Sequence, residues 1–104
     1  MGMFDDIYWP DGRRTQVKCF DRLLRCFSQG DEVQLDPPAR YGEAMPYDVP
    51  PVSFQIMVGD GSFITVVQGV LHSWDELRDP DLLLVDIFGW PWQGYSHQAA
   101  PRIE

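Results

Sequence analysis

The middle of the chain, residues 52–69, alternates apolar and polar positions around a turn signal and predicts a β-hairpin. Asp60 and Gly61 are the expected two-residue turn, because Asp and Gly tolerate the positive φ angles of a type I′ turn. Counting outward from that turn predicts the cross-strand pairs Val58 with Phe63, Ile56 with Thr65 and Phe54 with Val67 on one face, and Met57 with Ile64 and Gln55 with Val66 on the other. The first face is nearly all apolar, so we expect it to be buried as the folding centre.

The first third of the chain predicts two strands and then a segment with two interpretations. Residues 3–9 and 15–20 have the composition of strands, and a Pro-Asp-Gly turn signal follows the first of them. A helix over residues 20–29 is favoured by the i, i+3, i+4, i+7 spacing of four apolar side chains, Phe20, Leu23, Leu24 and Phe27. The alternative is a strand over residues 24–28 that turns into another over residues 32–35.

Residues 36–51 contain five prolines and predict a long loop, because Pro lacks the backbone donor that strands and helices use. Long ordered loops in compact domains are often functional. Tyr41, Met45 and Tyr47 are therefore candidates for a binding surface. The equally favoured alternative is that these side chains fold back and cover a sheet edge.

The C-terminal half predicts a strand, a short helix and a second strand. Residues 70–73 extend or re-enter the sheet, and Ser73 with Glu76 fits a capping box for a helix over residues 74–78. Residues 82–88 are apolar enough for a central strand that is buried on both faces. Asp86 lies within this strand and is the carboxylate that we expect to be buried.

These elements predict a mainly β fold, with α+β as the alternative. The 104 residues are 44% hydrophobic and 23% charged, which is typical of one globular domain over residues 1–104. We expect a small antiparallel sheet, a sandwich or a partly open barrel, with one or two short helices. The tail over about residues 96–104 is expected to be partly flexible.

The formal net charge is −8 and is unevenly distributed. Residues 1–30 carry five basic and four acidic side chains, whereas residues 31–104 carry three basic and twelve acidic ones. An acidic body repels nucleic-acid backbones, which argues against general DNA or RNA binding. It suits a basic protein partner or mimicry of nucleic-acid charge, and the favoured alternative is a solvated surface that serves solubility.

Sequence features further predict a cytoplasmic protein without membrane association, metal or cofactor. No apolar run approaches the length of about 20 residues that a membrane span needs, and the N-terminus lacks the pattern of a signal peptide. Cys19 and Cys26 are seven positions apart and form neither a CxxC motif nor half of a zinc site. Both are expected to be buried structural thiols.

Two groups of residues are candidates for binding. Trp90, Trp92 and Tyr95 are separated by Gly and Pro and could stack on a ring or anchor a protein interface, or equally cap an open end of the sheet. The second group is basic and could clamp a phosphate or carboxylate, although a solvated face with local ion pairs is favoured; its members are Arg13, Arg14, Lys18, Arg22 and Arg25.

No catalytic residues are predicted, and the chain is expected not to be an enzyme. Asp86 and His72 could act as acid and base, but neither has an evident nucleophile or orienting group beside it in the pattern. Structural hydrogen bonding at the sheet edge is the favoured role for both.

The opening residues 1–5, Met-Gly-Met-Phe-Asp, resemble the start of small uncharacterised proteins of bacteriophages and prophages. Further similarities are the Gln16 and Lys18 step, the turn at residues 30–33, Gly-Asp-Glu-Val, and the Asp60-Gly61 turn. They are scattered over about half of the chain. The resemblance implies a phage origin and a β-rich fold, and it implies no sites because the group has no established activity.

Two functional hypotheses follow from the sequence. The first is an accessory protein that binds a host protein, for example an inhibitor of a defence or nucleic-acid enzyme whose basic site the acidic surface would occupy. The second is a small-molecule protein that sequesters a nucleotide-like ligand between aromatic rings and basic residues. It requires Trp90 or Trp92 to lie near Arg13, Lys18 or Arg22. Homo-oligomers are compatible with either.

Overall fold

Seven short strands form two open sheets, and a computed structural model describes residues 3–92 of the chain. The first sheet has the order β2-β1-β3 and consists of β1 (Asp5–Tyr8), β2 (Arg14–Val17) and β3 (Cys26–Ser28). The second has the order β6-β5-β4-β7 and consists of β4 (Phe54–Met57), β5 (Phe63–Val67), β6 (Val70–Asp75) and β7 (Leu83–Val85). The prediction of a mainly β fold is confirmed. Antiparallel pairing predominates, and β3 and β7 each add a parallel edge strand.

One hydrophobic core joins the two sheets. Ile7, Val17 and Phe27 contribute to it from the first sheet. Five side chains that contribute from the second sheet are Phe54, Ile56, Ile64, Val66 and Trp74. The indole of Trp9 lies edge-on against that of Trp74, with 5.8 Å between the ring centroids. The first sheet therefore covers the apolar face of the second, as in a small sandwich.

The central hairpin is present, but its predicted register is wrong by one residue. Phe54 pairs with Val66, and Ile56 pairs with Ile64. The loop has three residues rather than two, because Gly61 adopts φ 94° and the Val58 amide donates to the Ser62 carbonyl at 3.0 Å. The extra loop residue brings Ile64 and Val66 to the core face, in place of Thr65 and Val67.

The hairpin loop gives a testable pH dependence. Hydrogen bonds from the Ser62 hydroxyl (2.5 Å) and amide (3.0 Å) hold the pKa of Asp60 below its ordinary value of 3.8. The stability that this carboxylate contributes is present above that value and is lost as the pH falls through the lower pKa of the folded state. NMR titration should give a folded-state pKa below 3.8, and Ser62→Ala should raise it. A pKa at or above 3.8 in the unmodified protein would contradict the prediction.

The helix predicted over residues 20–29 is wrong, and the first strand of the alternative is present as β3. The second, over residues 32–35, is absent, and Glu32 forms only an isolated bridge with Val70. The buried carboxylate of Asp5 accepts hydrogen bonds from the amides of Arg22 (2.7 Å), Leu23 (3.0 Å) and Arg25 (2.9 Å). Arg22 and Leu24 adopt positive φ angles of 56° and 60°, which end any helical turn. The amide donors that a helix would use are thus satisfied by a side chain from another strand.

The short helix predicted over residues 74–78 is also wrong, and residues 3–92 contain no helix. Strand β6 continues to Asp75, which pairs with Phe63 on β5. The Ser73 hydroxyl donates to the Asp75 carboxylate at 2.6 Å instead of capping a helix. Strand β7 lies at the edge of the sheet rather than at its centre.

Residues 36–51 contain no strand or helix, as the prolines predicted. Asp86 is half-buried rather than buried, and Asp5 is the buried carboxylate instead. Within the described part of the chain, nothing helical has the length and apolarity to cross a bilayer. The tail predicted over residues 96–104 lies outside the described residues.

Candidate functional site

The connection from β6 to β7, residues 76–82, passes over the outer face of the second sheet, opposite the core. Together with that face it borders an open groove of about 1000 Å³, which we call the crossover groove. Because β6 and β7 lie at opposite edges of the sheet, the connection has to cross β5 and β4. The strands form the floor of the groove with Gln55, Thr65 and Asp75, and the connection forms the opposite wall.

Gln55 fixes the connection above the sheet. Its side chain is only 1% exposed. The amide nitrogen donates to the Thr65 hydroxyl at 3.0 Å and to the Leu77 carbonyl at 3.4 Å. The amide oxygen accepts from the Asp79 backbone amide at 2.8 Å and from the Arg78 guanidinium at 3.2 Å. A buried amide whose hydrogen bonds are all made fixes the position of the connection relative to the sheet. The groove is therefore preformed.

A row of polar side chains extends from Thr65 to His72. The Asp75 carboxylate accepts hydrogen bonds from the hydroxyls of Thr65 (2.8 Å) and Ser73 (2.6 Å). The His72 Nδ1 lies 3.0 Å from the Ser73 Oγ and donates to it, since the Ser73 proton is directed at Asp75. The serine lies between the histidine and the aspartate, so this row lacks the order of a catalytic triad.

The groove combines negative charge with an apolar rim. Asp75, Glu76 and Asp79 supply three carboxylates against the single guanidinium of Arg78. Val67 and Leu77 border the same space with exposed side chains. Carboxylates beside apolar surface complement a cationic group that carries an apolar portion, such as a basic protein segment.

Within the predicted aromatic group, Trp90 is packed against the protein. Trp90 is 6% exposed and donates from its indole nitrogen to the Pro38 carbonyl at 3.0 Å. The Arg40 guanidinium lies 4.2 Å from the centroid of the Trp90 ring and 3.2 Å from the Asp86 carboxylate. These contacts join the proline-rich loop to the end of β7, which is a structural role.

The remaining aromatic candidates separate into exposed and packed side chains. Trp92 is half-buried, and its amide donates to the Leu84 carbonyl at 2.9 Å. The Tyr47 hydroxyl donates to the Gly89 carbonyl at 2.8 Å, and partial burial raises its pKa. Tyr41 and Met45 are exposed. Tyr95 lies outside the described residues.

Each of the predicted basic binding residues contacts a different ring or carboxylate of the protein itself. Arg13 lies 4.6 Å from the centroid of the Trp74 ring and pairs with Asp11 at 2.8 Å. Lys18 lies 5.7 Å from the centroid of the Phe88 ring. Arg14 is placed over the ring of Tyr8, at 5.7 Å, and Arg25 pairs with Asp21 at 2.7 Å.

Arg22 is held by backbone carbonyl groups. Its guanidinium donates to the carbonyls of Lys18 (3.2 Å), Phe20 (2.9 Å) and Asp36. The cation over Trp90 is Arg40, which the hypothesis of a nucleotide-like ligand did not include. Lys18 reaches the segment that follows β7 and leads to Trp90, because its amide donates to the Ile87 carbonyl at 2.7 Å. The nucleotide-like ligand therefore stays a prediction.

One of the two cysteines contradicts the expectation that both are buried. Cys19 is buried, and the burial raises the pKa of its thiol. Cys26 is exposed, because alternate side chains of the edge strand β3 point to solvent and only Phe27 points to the core. Over residues 3–92, no three His, Cys, Asp or Glu side chains are grouped so that they could hold a metal ion.

Sequence reasoning missed the crossover groove. The available signal was that Gln55 and Thr65 are polar positions in otherwise apolar strands. The predicted register placed them on opposite faces of the hairpin, whereas the structure pairs them directly.

The chain matches no family model, no curated protein and no solved structure. Its function is therefore argued from the groove and from the charge of the chain.

Proposed function

We propose that this protein is a non-enzymatic binding protein that holds a basic segment of a partner protein in the crossover groove. The observation that carries the proposal is the combination of three carboxylates and exposed apolar side chains around one groove, whose floor and wall Gln55 holds together. The net charge of −8 supports it, because a negative field steers a basic partner toward the surface. The proposal extends to a phage-encoded accessory protein in the host cytoplasm that occupies the basic site of a defence or nucleic-acid enzyme.

Charge and apolar contact have different parts in this binding. Exposed carboxylates raise the association rate and select against acidic partners, and their effect declines with salt. Contact with Val67 and Leu77 removes apolar surface from water and supplies affinity that salt does not weaken. Binding is therefore expected to be salt-sensitive without vanishing at high salt.

A peptide of alternating Leu and Arg tests the proposal, with a Leu and Glu peptide of the same length as the ligand control. We expect the basic peptide alone to bind, and its Kd to rise about tenfold between 50 mM and 500 mM NaCl. Glu76→Lys should weaken binding about tenfold, because it reverses a charge in the groove. Asp48→Lys is the matched control, since Asp48 is exposed and lies outside the groove.

Isothermal titration calorimetry measures the affinities, and amide chemical shifts locate the peptide. Equal weakening by Glu76→Lys and Asp48→Lys would show that only overall charge matters and would overturn the groove as the site. Equal binding of the two peptides, or shift changes confined to residues away from the groove, would overturn it as well.

A further inference from the structure

The loop between β2 and β3 exposes two adjacent leucines. Leu23 and Leu24 are 62% and 55% exposed, although large apolar side chains in a domain of this size are needed for the core. Leu24 has φ 60°, a left-handed conformation that a bulky L residue rarely adopts. We call residues 21–25 the leucine loop. Strained backbone of this kind persists where the surrounding structure enforces it, and it is concentrated at functional sites.

The leucine loop is rigidly held. Asp5 accepts three of its backbone amides, and the Leu24 amide donates to the Phe4 carbonyl at 2.8 Å. The guanidinium of Arg22 closes the base of the loop through three backbone carbonyls. A loop that is ordered in advance loses little conformational entropy when it binds, which favours its use as an anchor.

The leucine loop and the crossover groove are complementary. The loop presents two leucines next to Arg25, whose exposed guanidinium pairs with Asp21 at 2.7 Å. Its two arginines and one aspartate give residues 21–25 a formal charge of +1. The groove presents carboxylates and the apolar side chains of Val67 and Leu77. We propose that the leucine loop of one copy of this protein docks into the crossover groove of a second copy. This inference rests on the proposed function, because it names the basic, apolar segment that the groove accepts.

The contact joins two different surfaces, so its symmetry determines the size of the assembly. A reciprocal exchange of loops closes a dimer, whereas a one-way contact adds copies without closing. In either case the second copy occupies the groove that a partner protein would use. Self-association and partner binding therefore compete, and the partner reaches the groove only as the assembly dissociates.

Sedimentation velocity over about 5 µM to 500 µM protein tests the inference, a range that covers the affinity expected of a small interface. The unmodified protein should sediment faster as its concentration rises. Leu23→Asp should remain monomeric throughout, and so should the double variant Glu76→Lys, Leu77→Lys. Val49→Asp is the matched control and should associate like the unmodified protein, because Val49 is an exposed apolar residue outside both surfaces.

Mixing the two monomeric variants is the decisive step. One keeps an intact groove and the other an intact leucine loop, so the mixture should form a 1:1 dimer that neither variant forms alone. Absence of that dimer would overturn the docking, as would an unmodified protein that stays monomeric at every concentration. Association that survives Leu23→Asp would also overturn it.

Two further measurements distinguish this docking from a purely structural role of the leucine loop and from the proposed partner binding. Leu24→Asn should raise the melting temperature by about 4 °C, because Asn tolerates positive φ, while it weakens association. Unchanged association with the raised melting temperature would assign the loop a structural role only. Leu23→Asp should keep full affinity for the Leu and Arg peptide. If the unmodified protein binds the peptide but does not self-associate, the docking alone is overturned. If the unmodified protein does not bind the peptide, the proposed function is overturned as well.

Discussion

Replacement of Asp5 by Ala is expected to lower the free energy of unfolding by about 3–5 kcal/mol. The Asp5 carboxylate is fully buried and accepts the amides of Arg22, Leu23 and Arg25 at 2.7–3.0 Å. Its removal leaves three donors inside the protein without an acceptor, and each costs about 1–3 kcal/mol where water cannot replace it. The loss is a large fraction of the stability of a small domain.

Denaturant unfolding of the Asp5→Ala variant measures this loss, and thermal unfolding should show a melting temperature lower by about 15–30 °C. Asp6→Ala is the matched control, since Asp6 is the neighbouring carboxylate on the same strand and accepts none of the loop amides. It should change the unfolding free energy by less than about 1 kcal/mol. Equal losses for both variants would contradict the assignment of the loop conformation to Asp5.

Replacement of Gly89 by Ala is the second change with a large expected effect, a loss of about 2–4 kcal/mol. Gly89 adopts φ 89°, and an added Cβ would lie 2.9 Å from the Cβ of Cys19 and 3.0 Å from a methyl carbon of Leu35. Both neighbours are buried core side chains, so neither can move away freely. The substitution therefore combines left-handed strain with overpacking.

Gly42→Ala separates these two contributions. Gly42 also has a positive φ, 79°, but an added Cβ would meet no atom within 4 Å. This control should lose about 1 kcal/mol from backbone strain alone. Denaturant unfolding of both variants gives the difference that overpacking causes. A Gly89→Ala loss no larger than that of Gly42→Ala would mean that the contact with Cys19 relaxes at little cost.

The structure also changes which residues are candidates for function. Aromatic side chains led the candidates from sequence, yet Trp90 is packed beneath Arg40 and joins the proline-rich loop to β7. Residues with no motif, above all Gln55 and Asp75, form the groove instead.

Local pattern was enough to predict the strands and the main turn. Alternating apolar positions placed β4 and β5, strand-like composition before a Pro-Asp-Gly turn placed β1, and the Asp-Gly signal located the hairpin loop at residues 59–61. The prolines of residues 36–51 excluded regular structure there. These predictions succeed because turn residues, prolines and apolar alternation set the backbone conformation of nearby residues. In these segments the local preference agrees with the tertiary packing.

Tertiary structure alone decided the register, the missing helices and the groove. One additional loop residue, Gly59, shifts every pair of the hairpin, and composition cannot distinguish this loop from a two-residue turn. Helical spacing at residues 20–27 is overridden because Asp5, far away in sequence, takes the amides that a helix needs. The groove likewise exists only because Gln55 on β4 binds the connection after β6. The loop over residues 21–25 and the groove depend on hydrogen bonds between distant residues, whose energies are realised only when the chain is folded.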